Sequence, residues 1–278
     1  MGPATLFFII IVVIPFLMSI YYGFTSWNGV TSEVTFVGFS NYKYILFEDS
    51  AFSNSFWFTA KYMLATLILI NLVGFLLALL LTQPLKTRNV LRTIFFMPNV
   101  IGGLLLGFIW SFIFVKGFAA VGDWTNIGFF LLPWLGTEAT AFWGIVIVSV
   151  WQLSGYVMII YIAALVNVPS ELVEAAKIDG ATKWQMLKSI LLPLIMPAIT
   201  VCLFLTISWG FKVFDINLSL TKGGPFGSTE SVALNIYNEA FRNNRFGIGT
   251  AKALIFFIVV AIITMTQVYL TKRKEVES

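Results

Sequence analysis

The chain alternates between long apolar runs and short polar interruptions. Six runs are about 20 residues long, enough to cross a hydrocarbon core of about 30 Å as helices. They lie at roughly Pro3–Tyr22, Trp57–Leu81, Thr93–Val115, Ala141–Val166, Leu194–Leu218 and Ala251–Tyr269. Thr25–Ser55 reads as a polar loop, Thr82–Arg92 as a tight connection, and Lys116–Thr140 as a mixed loop whose apolar stretch is too short to span. Gly223-Gly224-Pro225 marks a turn within the last loop, Ser219–Thr250. The first run lacks the positive n-region of a signal peptide and is longer than its apolar core, so it reads as a retained helix. No lysine or arginine precedes it, so it adds nothing to orientation and is compatible with an upstream cytoplasmic stretch. The pattern predicts an all-α, polytopic membrane protein, with one transmembrane domain over residues 1–278.

Composition agrees. Of 278 residues, 59% are hydrophobic and only 11% are charged, whereas a soluble domain carries about 25% charged residues. Cys202 is the sole cysteine and histidine is absent, which excludes an intramolecular disulfide and the usual zinc sites. The net charge of +4 gives no reason to expect nucleic acid. Nine of the seventeen basic residues fall in three short segments: Thr82–Arg92, residues 170–193 and the tail from Lys272. By the positive-inside rule these segments are cytoplasmic, and six spans then place both termini there. The Walker A spacing is missing, and so is a histidine base, so the chain is not expected to hydrolyse ATP by itself.

A few polar side chains within the spans stand out, because burying them in lipid is costly. Ser149, Gln152 and Tyr156 fall at i, i+3 and i+7, on one face of the fourth span. On the fifth, Trp209, Lys212, Val213 and Ile216 form a stripe beside Asp215, and Lys212 and Asp215 are spaced to pair. Two readings stay open: glue between packed helices, or an aromatic-lined polar path. Ring faces with hydrogen-bonding neighbours suit a sugar, whose C–H faces stack and whose hydroxyls need directional partners.

Ser170–Pro193 breaks the apolar field with Glu171, Glu174, Lys177, Asp179, Lys183 and Lys188. Alanines and a glycine at its centre predict two short helices that fit closely against something. Glu174-Ala175-Ala176, then Gly180, then Ile190-x-Leu192-Pro193 resembles the EAA loop of binding-protein-dependent ABC importer permeases. Phe95-Phe96-Met97-Pro98 with Trp110, Phe211-Lys212-Val213-Phe214-Asp215, Leu220-Thr221-Lys222-Gly223-Gly224-Pro225 and Phe246–Ala251 resemble further signatures of the carbohydrate-type members.

That resemblance implies the type I importer permease fold in a bacterial inner membrane. It implies a complex with a second homologous permease, two ATPase subunits that bind the ATP, an extracytoplasmic solute-binding protein and a sugar. No cofactor of the chain's own is implied, and lipid surrounds it. Residues 167–193 would be the cytoplasmic coupling loop, with Glu174, Ala175, Ala176, Asp179, Gly180 and Pro193 meeting the ATPase. Ser149, Gln152, Tyr156, Trp209, Lys212 and Asp215 would line the substrate path. A glycerol-phosphate-type importer and a self-sufficient secondary transporter remain as alternatives; the latter would need a charged relay within the spans.

Overall fold

The computed structural model describes residues 2–273. These are almost entirely helical; the only β feature among them is an isolated bridge between Thr25 and Phe36. In chain order the helices are α1 (Gly2–Gly23), α2 (Ser40–Phe47), α3 (Ser50–Leu81), α4 (Arg88–Phe96), α5 (Gly103–Thr125) and α6 (Glu138–Val166). Two short helices, α7 (Ser170–Ile178) and α8 (Lys183–Leu194), follow, then α9 (Met196–Phe211), α10 (Val232–Tyr237) and α11 (Phe246–Lys272). Among the described residues five helices are long and apolar enough to cross a bilayer alone, and α8 with α9, bent by 73°, gives a sixth if the pair is one span.

Three expectations differ from the observed fold. Thr25–Ser55, read as a loop, holds α2 and the start of α3 at Ser50, seven residues before the expected Trp57. Two spans are interrupted. The third span, predicted as Thr93–Val115, is two helices: Met97–Val100 forms a 3₁₀ turn, and Ile101 and Gly102 are extended. Pro98 supplies no backbone N–H, so the helix cannot run through it. α5 instead continues to Thr125, well into the stretch expected to be loop. The fifth span, predicted as Leu194–Leu218, ends at Phe211; Lys212–Phe214 are non-helical before a short π segment at Asn217–Thr221. Its start is bent at Ile195, where Pro197 cannot donate to the Pro193 carbonyl four residues earlier.

The core is the seam of α3 against α6, joined by α9. Lipid offers no hydrophobic drive to pack apolar helices, so close backbone approach and interhelical hydrogen bonds hold the seam. A Cβ on Gly155 would overlap the Phe95 carbonyl, so glycine there lets the end of α4 lie directly on α6. Tyr161 Oη donates to Asn71 Oδ1 at 2.8 Å, and Asn71 Nδ2 donates to Thr206 Oγ1 at 3.0 Å, tying α6 to α3 to α9. The outward faces are apolar: Phe7, Ile11, Leu64, Ile68, Phe108 and Met265 are all exposed, as lipid contact requires.

α1 runs antiparallel to α11, with Phe16 against Phe257 at 5.4 Å between ring centroids. Gln267 Nε2 donates to Thr200 O, which brings the end of α11 to the start of α9. Leu81, Leu85, Leu91, Val168 and Leu192 share one apolar cluster. The Thr82–Arg92 connection, α7 and α8, and the start of the basic tail therefore lie at one end of the bundle.

Candidate functional site

At that end, α7 and α8 form a helical hairpin. α7 closes with a Schellman turn: Gly180 N–H donates to Lys177 O and Ala181 N–H to Ala176 O, with Gly180 at φ +77°. Thr182 and Gln185 then cap each other reciprocally to start α8. Nothing lies within 4 Å of a Cβ at Gly180, so its conformation and not crowding demands glycine. Ala176 is buried and packs the hairpin down, whereas Glu174, Ala175 and Asp179 are exposed. Ile178 is 86% and Trp184 68% exposed beside them, so charged and apolar groups face outward together. Pro193 lies half-buried in the last turn of α8, where its carbonyl accepts from the Ile195 N–H at the end of the helix.

In mid-bundle, the break after Phe211 opens a cleft of about 300 Å³. Ser149, Gln152, Trp209, Lys212 and Asp215 all line it, together with Tyr62, Gly103, Val213 and Ile216. Tyr156 stands next to it, its ring edge-on to Trp209 at 5.4 Å and stacked over Phe96 at 6.4 Å. The six residues picked out on two spans thus converge on one place.

Their roles within it differ. Ser149 has no exposed surface; it accepts from Tyr62 Oη at 2.6 Å while donating to Ile145 O, so it acts as helix glue. Gln152 Nε2 donates to Ile101 O at 2.9 Å, satisfying a carbonyl freed where the α4–α5 helix breaks. The expected Lys212–Asp215 pair is not formed. Both side chains are exposed on the rim, with no ion pair between them, because the break at Lys212–Phe214 removes the helical i, i+3 geometry. The stripe from Trp209 to Ile216 is likewise a loop-and-helix wall rather than one helix face.

Sequence reading missed two groups. Tyr62 anchors the cleft through a partner 87 residues away, and no local spacing announces such a pair. Lys252, in α11, is wholly buried; its Nζ lies 2.7 Å from both Asp49 Oδ2 and Glu239 Oε2, and it donates to Asn235 Oδ1 at 2.9 Å. Arg245 completes the network on Glu239 Oε1 at 3.0 Å. A lone lysine near the start of the last span was the available signal.

A bundle of broken and continuous spans, with a polar mid-depth cleft and a helical hairpin at one end, defines a polytopic membrane transport subunit. Residues 70–276 match the model of the binding-protein-dependent transport system inner membrane component, and the chain belongs to that family. It is 51% identical to a probable starch degradation products transport system permease of Thermoanaerobacterium thermosulfurigenes, over 99% of this chain and 94% of that one. It is 37% identical to the multiple sugar-binding transport system permease of Streptococcus mutans, covering 94% and 90%. The fold matches a chain of a bacterial ABC transporter involved in the import of alginate, with TM-score 0.83 at 22% identity over 98% of this chain and 93% of that one.

Proposed function

We infer that this chain is the membrane-spanning subunit of an ATP-driven importer of a neutral sugar or oligosaccharide, paired with a second permease, two ATPase subunits and a solute-binding protein. The carrying observation is the α7–α8 hairpin, an exposed, firmly capped element bearing Glu174 and Asp179 beside Ile178 and Trp184. It shares its end of the bundle with the basic segments, and the positive-inside rule makes that end cytoplasmic. ATP-driven closure of the ATPase pair would press on the hairpin, and α8 leads through the bend at Ile195 into α9, a wall of the cleft. Coupling of this kind works when the hairpin's contacts differ between outward-open and inward-open states.

The sugar reading rests on the names of the relatives and on Trp209 in the cleft with Tyr156 beside it. Lys212 and Asp215 form no ion pair with each other, and the buried Lys252 network lies at the starts of α3 and α11 and not along the cleft. Neither supplies the charged relay along the spans that a self-sufficient secondary transporter would need. A single rim lysine opposite an aspartate also offers little to a phosphate.

The test is Glu174→Ala. If Glu174 meets a basic residue of an ATPase subunit, the change strands that partner and weakens the interface by about 2–5 kcal/mol. A merely solvated glutamate would change stability by less than about 0.5 kcal/mol. The expected result is normal membrane insertion with loss of the co-purifying ATPase or of its coupling to uptake. Wild-type transport and ATPase association would overturn the docking role.

A further inference from the structure

Away from the docking hairpin, the opposite end of the α3–α6 seam carries a second and larger cleft of about 630 Å³. Its walls come from the first turns of α3 (Asn54, Trp57, Phe58, Lys61), the start of α6 (Glu138, Phe142) and the loop at Phe226–Ser228. We propose that this cleft is an outer carbohydrate subsite, which holds a glycosyl unit before it reaches the central cleft. The proposal rests on the importer reading above and adds a second station to it.

The aromatic surfaces are unusual in their placement. Trp57 is 62% exposed and Phe226 wholly exposed. Phe226 also has φ +52°, in the left-handed region that bulky residues rarely occupy. Its loop is nevertheless tightly held. Buried Asn217 donates to Thr229 O at 2.7 Å and accepts from Ser231 N–H at 2.9 Å, while Thr229 Oγ1 donates to Gly224 O at 2.5 Å. A rigid loop that keeps a ring in water, on unfavourable backbone, has its ring free for a ligand.

The polar groups are free as well. Among the described residues the side chains of Asn54, Lys61 and Glu138 make no hydrogen bond or ion pair. Together they offer donors from lysine, acceptors from glutamate and both from asparagine. An anion would be repelled by Glu138, a cation by Lys61, and an apolar ligand would strip water from all three. A neutral polyol with apolar C–H faces satisfies every wall: hydroxyls at the charged and amide groups, ring faces at Trp57 and Phe226.

The subsite also connects to the path. Phe58, in its wall, stacks on Tyr62 at 6.2 Å and 17°, and Tyr62 lines the central cleft. The Phe58–Tyr62 stack, pinned by Ser149, is thus the partition between the two clefts.

The experiment measures direct binding of maltotetraose to the assembled transporter in nanodiscs by saturation-transfer NMR, with the solute-binding protein left out. Losing each ring should weaken binding by about twofold to tenfold, so, in a Trp209→Ala background that removes the central cleft's stacking ring, Trp57→Ala with Phe226→Ala should largely abolish the signal. Trp57→Phe, which keeps a ring, should retain most of it. Both positions are exposed, so complex yield and melting temperature should match the wild type. Undiminished binding in the double variant, as expected if these rings only touch the delivering protein, would overturn the subsite while uptake persists. Failure of the wild-type transporter to take up any oligosaccharide would overturn the sugar reading itself.

Discussion

Trp209 lines the central cleft and Tyr156 stands against it, and at the residue scale they differ from Ser149 and Gln152 beside them. The latter pair is buried and spent on protein groups, Tyr62 and the Ile101 carbonyl. Tyr156 and Trp209 are half-buried and touch each other edge-on, so part of each ring remains available. Tyr156→Ala and Trp209→Ala should each abolish uptake while the complex still assembles, since a stacking surface is worth about 0.5–1.5 kcal/mol beyond area burial. Complex yield set against substrate-stimulated ATPase activity reads this out; failure to assemble would show that the rings are packing elements. The i, i+3, i+7 spacing on α6 was legible because one helix carries it. The functions of Ser149 and Gln152 were not, because their partners sit on α3 and at the α4–α5 break.

At the scale of elements, interruptions do more than the spans they interrupt. Pro98 splits the third run, Pro197 bends the fifth, and the non-helical Lys212–Phe214 opens the cleft. Proline positions were visible in the sequence. Hydrophobicity alone drew uninterrupted helices through them, because apolar character persists where backbone hydrogen bonding does not. The α7–α8 hairpin shows the opposite case: its two helices were readable around a central glycine, and the caps that the structure adds at Thr182 and Gln185 are equally local. Gly180→Val should insert normally yet lose ATPase association, since a left-handed backbone costs a residue with Cβ about 1–2 kcal/mol. Gly180→Asn should retain far more, because asparagine accepts that conformation. Equal co-purification of ATPase with both variants would show that the turn's conformation is not what docking requires.

For the molecule as a whole, topology is the testable consequence. In a Cys202→Ser background, single cysteines at Thr87 and Thr182 should be shielded from an impermeant thiol reagent outside intact cells, and one at Ser228 should react. Labelling of position 87 from outside would reverse the orientation. Cys202 itself is fully buried in the apolar cluster beneath the seam, so its loss is a core change as well as a chemical one. The sequence by itself determined that the chain is a bundle of apolar spanning helices, which end carries the basic segments, and that Ser170–Pro193 forms a pair of short helices. Each depends on length, charge or capping within a short window, and the bilayer enforces the first two. Only the tertiary structure decided that Ser149, Gln152, Tyr156, Trp209, Lys212 and Asp215 meet at one cleft. Only it separated Lys212 from Asp215, and surrounded Lys252 with Asp49, Glu239 and Asn235. Those outcomes depend on where helices break and which faces then meet across distant parts of the chain. A buried charge or hydroxyl finds its partner by packing, and packing is not written in any local period.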